Sequence, residues 1–226
     1  MRKLFATTVL LAVLGIMPVM AQSDDGVFIL EKANVVTLGP RLGATFTTMG
    51  QPAECDLYDG AGLGVSFGAA LKTRLGRATK DTQQGGTGLL GFGLDLLYKQ
   101  NTVKTMGSDD LSLGYFEIPV TVHVFPMVTS KFMNTFYVEA GPSFALITSK
   151  SPALLSVPSA NVSYHTGDFK GGDLRAVVGL GYTFPKTGLD VNARYYIGTS
   201  ELAGNFPCKQ NSLEISLSWQ FKIATF

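Results

Sequence analysis

The chain has 226 residues, and its 18 Lys and Arg nearly balance its 17 Asp and Glu. That balance leaves out the basic stripe with which a nucleic-acid binder neutralises phosphates. Charged residues are only 15% of the chain, whereas Gly numbers 26 and aromatics reach 11%, a composition that suits a turn-rich β protein better than a helical enzyme.

In chain order, residues 1–21 read as a secretory signal peptide. Arg2 and Lys3 give a positive start, Leu4 to Val19 is a mostly apolar run, and Val19-Met20-Ala21 supplies small residues, so cleavage is expected after Ala21. A retained membrane anchor is the alternative, but no stop-transfer flank follows the run, and no cysteine stands at the cut for a lipid anchor. Beyond it nothing approaches the roughly 20 consecutive apolar residues of a spanning helix. Residues 22–35 are expected to form a short periplasmic N-terminal segment, and residues 36–226 a single domain with neither a second domain nor a tandem repeat.

From residue 36 onward the pattern is alternation, which puts successive side chains on opposite faces of a strand. The first strand sets Val36, Leu38, Leu42, Ala44 and Phe46 against Thr37, Gly39, Arg41, Gly43 and Thr45. The second sets Leu63, Val65, Phe67, Ala69 and Leu71 against Gly64, Ser66, Gly68, Ala70 and Lys72. In the third, Leu90, Phe92, Leu94, Leu96 and Tyr98 oppose Gly91, Gly93, Asp95 and Lys99. The fourth places Phe116, Ile118, Val120, Val122 and Val124 away from Tyr115, Glu117, Pro119, Thr121 and His123. The fifth, 136–146, turns Phe136, Val138 and Phe144 away from Tyr137, Glu139 and Ser143. The sixth, 174–183, opposes Leu174, Val178 and Leu180 to Arg175, Gly179 and Gly181, and the seventh, 189–197, opposes Leu189, Val191 and Tyr195 to Asp190, Asn192, Arg194 and Tyr196. The last alternates throughout: Leu213, Ile215, Leu217, Trp219, Phe221 and Ile223 against Glu214, Ser216, Ser218, Gln220 and Lys222.

The charges choose between architectures. A soluble sandwich would carry Lys and Glu over its outer face. Here the polar face is small and sparsely charged, with Arg41, Lys72, Asp95, Glu117, Glu139, Arg175, Asp190, Arg194 and Glu214 spread about one to a strand in mixed signs. The apolar face carries no charge, as expected where a lipid-facing Arg or Lys would cost roughly 2–4 kcal/mol. The predicted fold is therefore all-β, an eight-stranded antiparallel transmembrane up-and-down β-barrel in the outer membrane of a Gram-negative bacterium. The listed charges, together with His123, would form its interior charge network. A soluble lipocalin-like barrel with the apolar face inward is the alternative.

With the N-terminus in the periplasm, the outer loops would be 47–60, 101–110, 148–170 and 200–210, and the periplasmic turns 73–86, 127–131 and 185–187. Outer-membrane barrels usually have short periplasmic turns, so 73–86 is either a long turn or a misplaced strand boundary. Cys55 falls in the first outer loop and Cys208 in the fourth, and closure of the barrel makes those loops neighbours; a Cys55–Cys208 disulfide is expected in an oxidising compartment. Two free thiols are the alternative.

Chemistry is harder to find. Glu117 and Glu139 could pair for acid–base work, but interior arginines (Arg41, Arg175, Arg194) would neutralise them, since an unpaired charge in a narrow lumen is costly. Ser163, His165, Thr166 and Asp168 lie together in the third loop and could be imagined as a nucleophile system, though no rigid element holds them. Gly62-x-Gly64 and Gly179-x-Gly181 open no helix, so phosphate cradling is not supported, and no spacing suggests a metal. No cofactor is expected. The expected partners are outer-membrane lipid and lipopolysaccharide and the barrel assembly machinery.

Short motifs resemble those of the PorT-like outer-membrane β-barrel proteins. Tyr115-Phe116-Glu117-Ile118-Pro119 matches their Y-x-E-[IL]-P element, preceded by Gly91 to Tyr98. Glu139-Ala140-Gly141-Pro142, Val178-Gly179-Leu180-Gly181, Ala193-Arg194-Tyr195-Tyr196-Ile197-Gly198 and Asn211 follow in the family's order. The resemblance covers about residues 36–223 and implies a non-enzymatic barrel with a structural, surface-interaction or assembly role, and a PorT-like part with secretion-system components as one specific form. The alternatives are a lipid-modifying enzyme of the outer membrane and a small-ligand-binding barrel or narrow channel. Such barrels often end on an aromatic residue in register with the apolar face. Phe226 is out of register with the odd-numbered apolar set, and a bulge near residue 224 would restore it.

Overall fold

The structure is a computed structural model; it describes residues 34–50, 58–76, 88–105, 109–127, 133–157, 162–202 and 209–225. All lie in one compact unit, Glu31–Phe226. The alternating segments fold as β1 (Val35–Gly50), β2 (Tyr58–Arg74), β3 (Leu90–Thr105), β4 (Leu111–Val124) and β5 (Phe136–Ser151). A small hairpin, β6 (Leu154–Val157) with β7 (Val162–His165), comes next. β8 (Gly172–Thr183), β9 (Leu189–Gly198), β10 (Lys209–Trp219) and β11 (Phe221–Thr225) complete the order.

Each barrel strand pairs antiparallel with the one before it, β5 passing directly to β8, and β10 returns to pair with β1. β10 and β11 are one strand interrupted at Gln220, both lying along β1. The result is a closed eight-stranded antiparallel barrel, which has no free edge. Closure also explains the survival of such apolar strands without aggregation-prone edges.

The faces decide what kind of barrel it is. Leu42 is 66% exposed and Leu63 64%, and Phe67, Leu96, Phe144, Leu180 and Leu217 also stand outward. Lys99, Glu117 and Glu214, by contrast, are wholly buried, and Arg175 and Arg194 nearly so. This is the reverse of the lipocalin-like alternative, in which the apolar set would fill the interior. Outward charges on the described strands, such as Asp59, Lys104 and Lys209, sit at strand ends.

Several boundaries differ from the sequence expectation. The loop expected over 47–60 shrinks, because β1 continues to Gly50 and β2 begins at Tyr58; that over 101–110 shrinks likewise, because β3 reaches Thr105. About 9–11 residues suffice for a tilted strand to cross the bilayer, and β1, β2 and β3 run 16, 17 and 16. Past the hydrocarbon the outward positions meet water, so residues such as Thr48, Gln100 and Thr102 erase the alternation while the ladder goes on. The loop expected over 148–170 contains the end of β5 and the β6–β7 hairpin. The barrel also starts one residue earlier than expected: Val35, assigned to the periplasmic segment, pairs with Arg74 and Thr225.

The long connection between β2 and β3 is no boundary error. Arg74 pairs with Gly91, so the two strands are direct neighbours joined through 75–89. The β8–β9 turn is tight: Gly188 adopts φ 71°, a left-handed conformation that a side chain would resist, and its N–H donates to the Phe184 carbonyl at 2.9 Å. In the last strand Thr37 pairs with Lys222 but Val36 pairs with Ala224, so Ile223 is an extra, bulged residue. Phe226 lies outside the described residues.

Candidate functional site

Among the described residues, polar chemistry gathers on rigid elements in the lumen, because every barrel strand sends alternate residues into it. At mid-height Arg41 from β1 holds Asp95 from β3 at 3.0 Å and Glu214 from β10 at 3.1 Å. Arg194 from β9 binds the same Asp95 and grips Glu139 from β5, Nε to Oε1 at 2.6 Å and Nη2 to Oε2 at 2.9 Å. His123 Nε2 meets Glu139 Oε2 at 2.9 Å, and Asn192 ties the groups together by accepting from Arg41 at 2.8 Å and donating to Glu139 at 2.7 Å.

Toward the end that carries the β6–β7 hairpin, Lys99 lies 2.6 Å from Glu214 and 3.2 Å from Glu117, over the Tyr196 ring. Arg175 lies 3.6 Å from Glu117 and 2.8 Å from Asp173, with its guanidinium over Tyr115. Toward the terminal end, where β1 begins and β11 ends, Lys72 holds Asp190 and the Tyr137 hydroxyl, each at 2.6 Å. Tyr137 in turn accepts from Asn192 at 3.0 Å, which links this group to Glu139. Cations and carboxylates therefore alternate along one connected path from Asp173 to Lys72. Eight strands enclose a space just wide enough for side chains to fill, and each buried charge needs an opposite partner with good geometry to offset its lost hydration.

Arg41, Lys72, Asp95, Glu117, His123, Glu139, Arg175, Asp190, Arg194 and Glu214 all lie on the inward face within this path. The sequence reading left out Lys99, although its parity on β3 put it inside, Asp173, which lies one residue before the strand as first drawn, and Arg74, which fell in the expected 73–86 turn. It also gave no role to Tyr115, Tyr137 and Tyr196, which supply ring faces and hydroxyls to the network. Cys55 and Cys208 lie outside the described residues.

The two ends of the lumen differ. At the hairpin end Met49, Val103, Leu111, Leu113 and Ala145 from the strands pack with Leu155 of the β6–β7 hairpin, Phe169 and Leu202. The hairpin is tied down, because Thr166 donates its hydroxyl to the Pro152 carbonyl at 2.7 Å and Lys150 donates to the Phe169 carbonyl at 2.7 Å. The terminal end is an open vestibule of about 50 Å³, walled by residues that include Lys72, Arg74, His123, Phe125, Thr135 and Tyr137.

Among the described residues of the third connection, Ser163, His165, Thr166 and Asp168 are not assembled as a nucleophile system. Ser163 shares a 3.4 Å hydrogen bond with Ser156 across the hairpin, Thr166 is held by backbone carbonyls, and His165 and Asp168 are exposed. Gly62, Gly64, Gly179 and Gly181 sit in strands. Among the described residues no group of three or more His, Cys, Asp or Glu is arranged to hold a metal ion.

A closed eight-stranded barrel with an apolar exterior and a charge-paired interior is a membrane-spanning barrel. Residues 20–203 match the family described as Outer membrane protein beta-barrel domain, and the chain belongs to that family, whose place is the bacterial outer membrane. No curated protein matches it in sequence. Among solved structures it is similar to Neisserial surface protein A at 12% identity, covering 81% of this chain and 97% of that one with a TM-score of 0.49. It is also similar to the attachment invasion locus protein of Yersinia pestis at 12% identity, over 82% of this chain and 98% of that one, TM-score 0.39. A third is the outer membrane protein OprG from Pseudomonas aeruginosa, at 11% identity over 85% and 98% of the two chains, TM-score 0.41.

Proposed function

We propose that this protein is a non-conducting, non-enzymatic outer-membrane barrel that serves as a structural anchor and presents the β6–β7 hairpin and the connections beside it for interaction at the cell surface. The observation that carries this reading is the filled lumen: a connected ladder of paired charges at mid-height, and an apolar plug beneath the β6–β7 hairpin. A channel needs a continuous watery path, and a ligand-binding barrel needs an unfilled pocket at its outer end. Purified barrel in planar bilayers is expected to give no steady single-channel steps; a reproducible, ion-selective open level would overturn the reading.

In the proposed orientation the start of β1, the end of β11, the short 184–188 turn and the longer 75–89 connection face the periplasm, and the β6–β7 hairpin faces outward. Outer-membrane lipid then surrounds the apolar band, lipopolysaccharide meets the outer rim, and the barrel assembly machinery inserts the chain. We propose that residues 1–21 are removed after Ala21 and that 22–34 form the periplasmic lead-in; the N-terminal sequence of the mature protein tests the cut. A Cys55–Cys208 disulfide belongs to the same proposal. It is supported by the seam, where Gly50 pairs with Lys209, the residue after Cys208. Non-reducing and reducing gels of the native protein and of Cys55→Ser test it, and equal mobility throughout would count against the bond.

The narrower reading is a PorT-like part in assembling a secretion apparatus, and it rests on the motif order. Those residues have interior duties: Tyr115 and Glu117 engage Arg175, and Arg194 engages Asp95 and Glu139. The motifs therefore report how the lumen is packed, and the secretion role needs its own test, loss of exported proteins from cells lacking this chain.

A further inference from the structure

We propose that the vestibule at the terminal end binds an oxyanion, a phosphate or carboxylate group, on the guanidinium of Arg74. Arg74 is the last residue of β2, points inward and is 8% exposed. Its guanidinium lies on the Phe125 ring, 3.9 Å from the centroid, and its Nε donates to the Gly88 carbonyl at 3.0 Å. These two contacts fix the plane of the group. They leave Nη2 buried and without an acceptor among the described residues.

Arg74 is the exception among the inward arginines. Arg41, Arg175 and Arg194 each hold at least one carboxylate, whereas Arg74 has none among the described residues. The hydroxyl of Thr135, in the same wall and 6% exposed, is also buried without a partner. Lys72 across the vestibule is already neutralised by Asp190 at 2.6 Å, so the uncompensated positive charge belongs to Arg74. A buried charged donor with no acceptor is costly, and an anion that supplies one recovers that cost. The planar fork of a guanidinium matches the oxygens of carboxylate and phosphate. The vestibule, about 50 Å³ and open to solvent, admits one such group and leaves the rest of a larger molecule outside. The site does not depend on whether the barrel conducts, so its test stands apart from the bilayer measurement.

The group could come from a free anion or from an anionic lipid head group. The full-length barrel, folded in a non-ionic detergent, is titrated at constant ionic strength with inorganic phosphate, with acetate and with dihexanoyl-phosphatidylglycerol. The midpoint of thermal unfolding is read for the native chain, Arg74→Gln and Arg74→Lys. A saturable rise is expected in the native chain, lost in Arg74→Gln and partly kept in Arg74→Lys. A rise with phosphate or acetate assigns a free anion, and a rise with the lipid alone assigns a head group. The same titrations followed on the Arg74 Nε–Hε signal of the native chain by NMR keep the test independent of how the variants fold. No Arg74-dependent rise and no movement of that signal with any of the three probes overturns the proposal.

Discussion

Arg194 shows how tightly the interior is determined at the level of single residues. It is buried and bridges Asp95 and Glu139. Arg194→Leu would leave two carboxylates short of a partner, and breaking a buried pair in this way costs about 3–5 kcal/mol. The expected outcome is a loss of that size in urea unfolding from lipid vesicles; a loss below about 1 kcal/mol would mean the lumen is far wetter than its packing indicates. Gly181 carries a different constraint. A Cβ there would lie 2.3 Å from the Tyr137 ring, which covers the glycine across the β5–β8 pair. Gly181→Val is expected to displace Tyr137 from Lys72, Asp190 and Asn192, lowering the unfolding midpoint in the same assay, whereas Gly181→Ala should do less. Alternation placed both Gly181 and Tyr137 inside. It could not make them partners, because the register that sets Tyr137 opposite Gly181 joins residues 44 apart by pairing across the sheet.

At the scale of elements, the outward face has a limit in height. Leu42 stands beside Arg41, at the level of the central ion pairs, and pairs with Leu217. Leu42→Arg is expected to cost about 2–4 kcal/mol in vesicles, and Thr102→Arg, beyond the apolar band on β3, about 0–1 kcal/mol. Equal costs at the two positions would argue against a bilayer centred on the Arg41 level. The type and facing of every barrel strand could be read from the sequence, since period-two alternation is strong where one face meets lipid and the other a lumen. Strand ends were misjudged where both faces become polar, as at Thr48 and Gln100. The β6–β7 hairpin escaped notice for a related reason. Among the described side chains of the hairpin Leu155 enters the plug, and four-residue strands give too few alternations to register.

As a whole molecule, a closed barrel loses all its strand pairings together or not at all. The folded protein is therefore expected to resist SDS at room temperature and to shift in mobility only after boiling, in the outer-membrane fraction. Recovery in the soluble periplasmic fraction, with no heat-dependent shift, would contradict the architecture. The bulge at Ile223 belongs to this scale too, because it lets the last strand close against β1 while changing which of its residues face outward. Before it, even-numbered Ser218 and Gln220 point inward; after it, Thr225 lies opposite the buried Val35.

The sequence by itself determined the fold class, the identity of most of the inward charges and their mixed signs, because each follows from the period of a strand and from the cost of charge in lipid. Which acid holds which base was decided only by the tertiary structure. Arg41 reaches Asp95 and Glu214 because closure brings β1 against β10 and folds β3 across a narrow lumen. The apolar plug, and the one inward arginine with no carboxylate among the described residues, were settled there as well. Both depend on how far the strands extend and how they are staggered around the barrel, and local patterning carries no record of either.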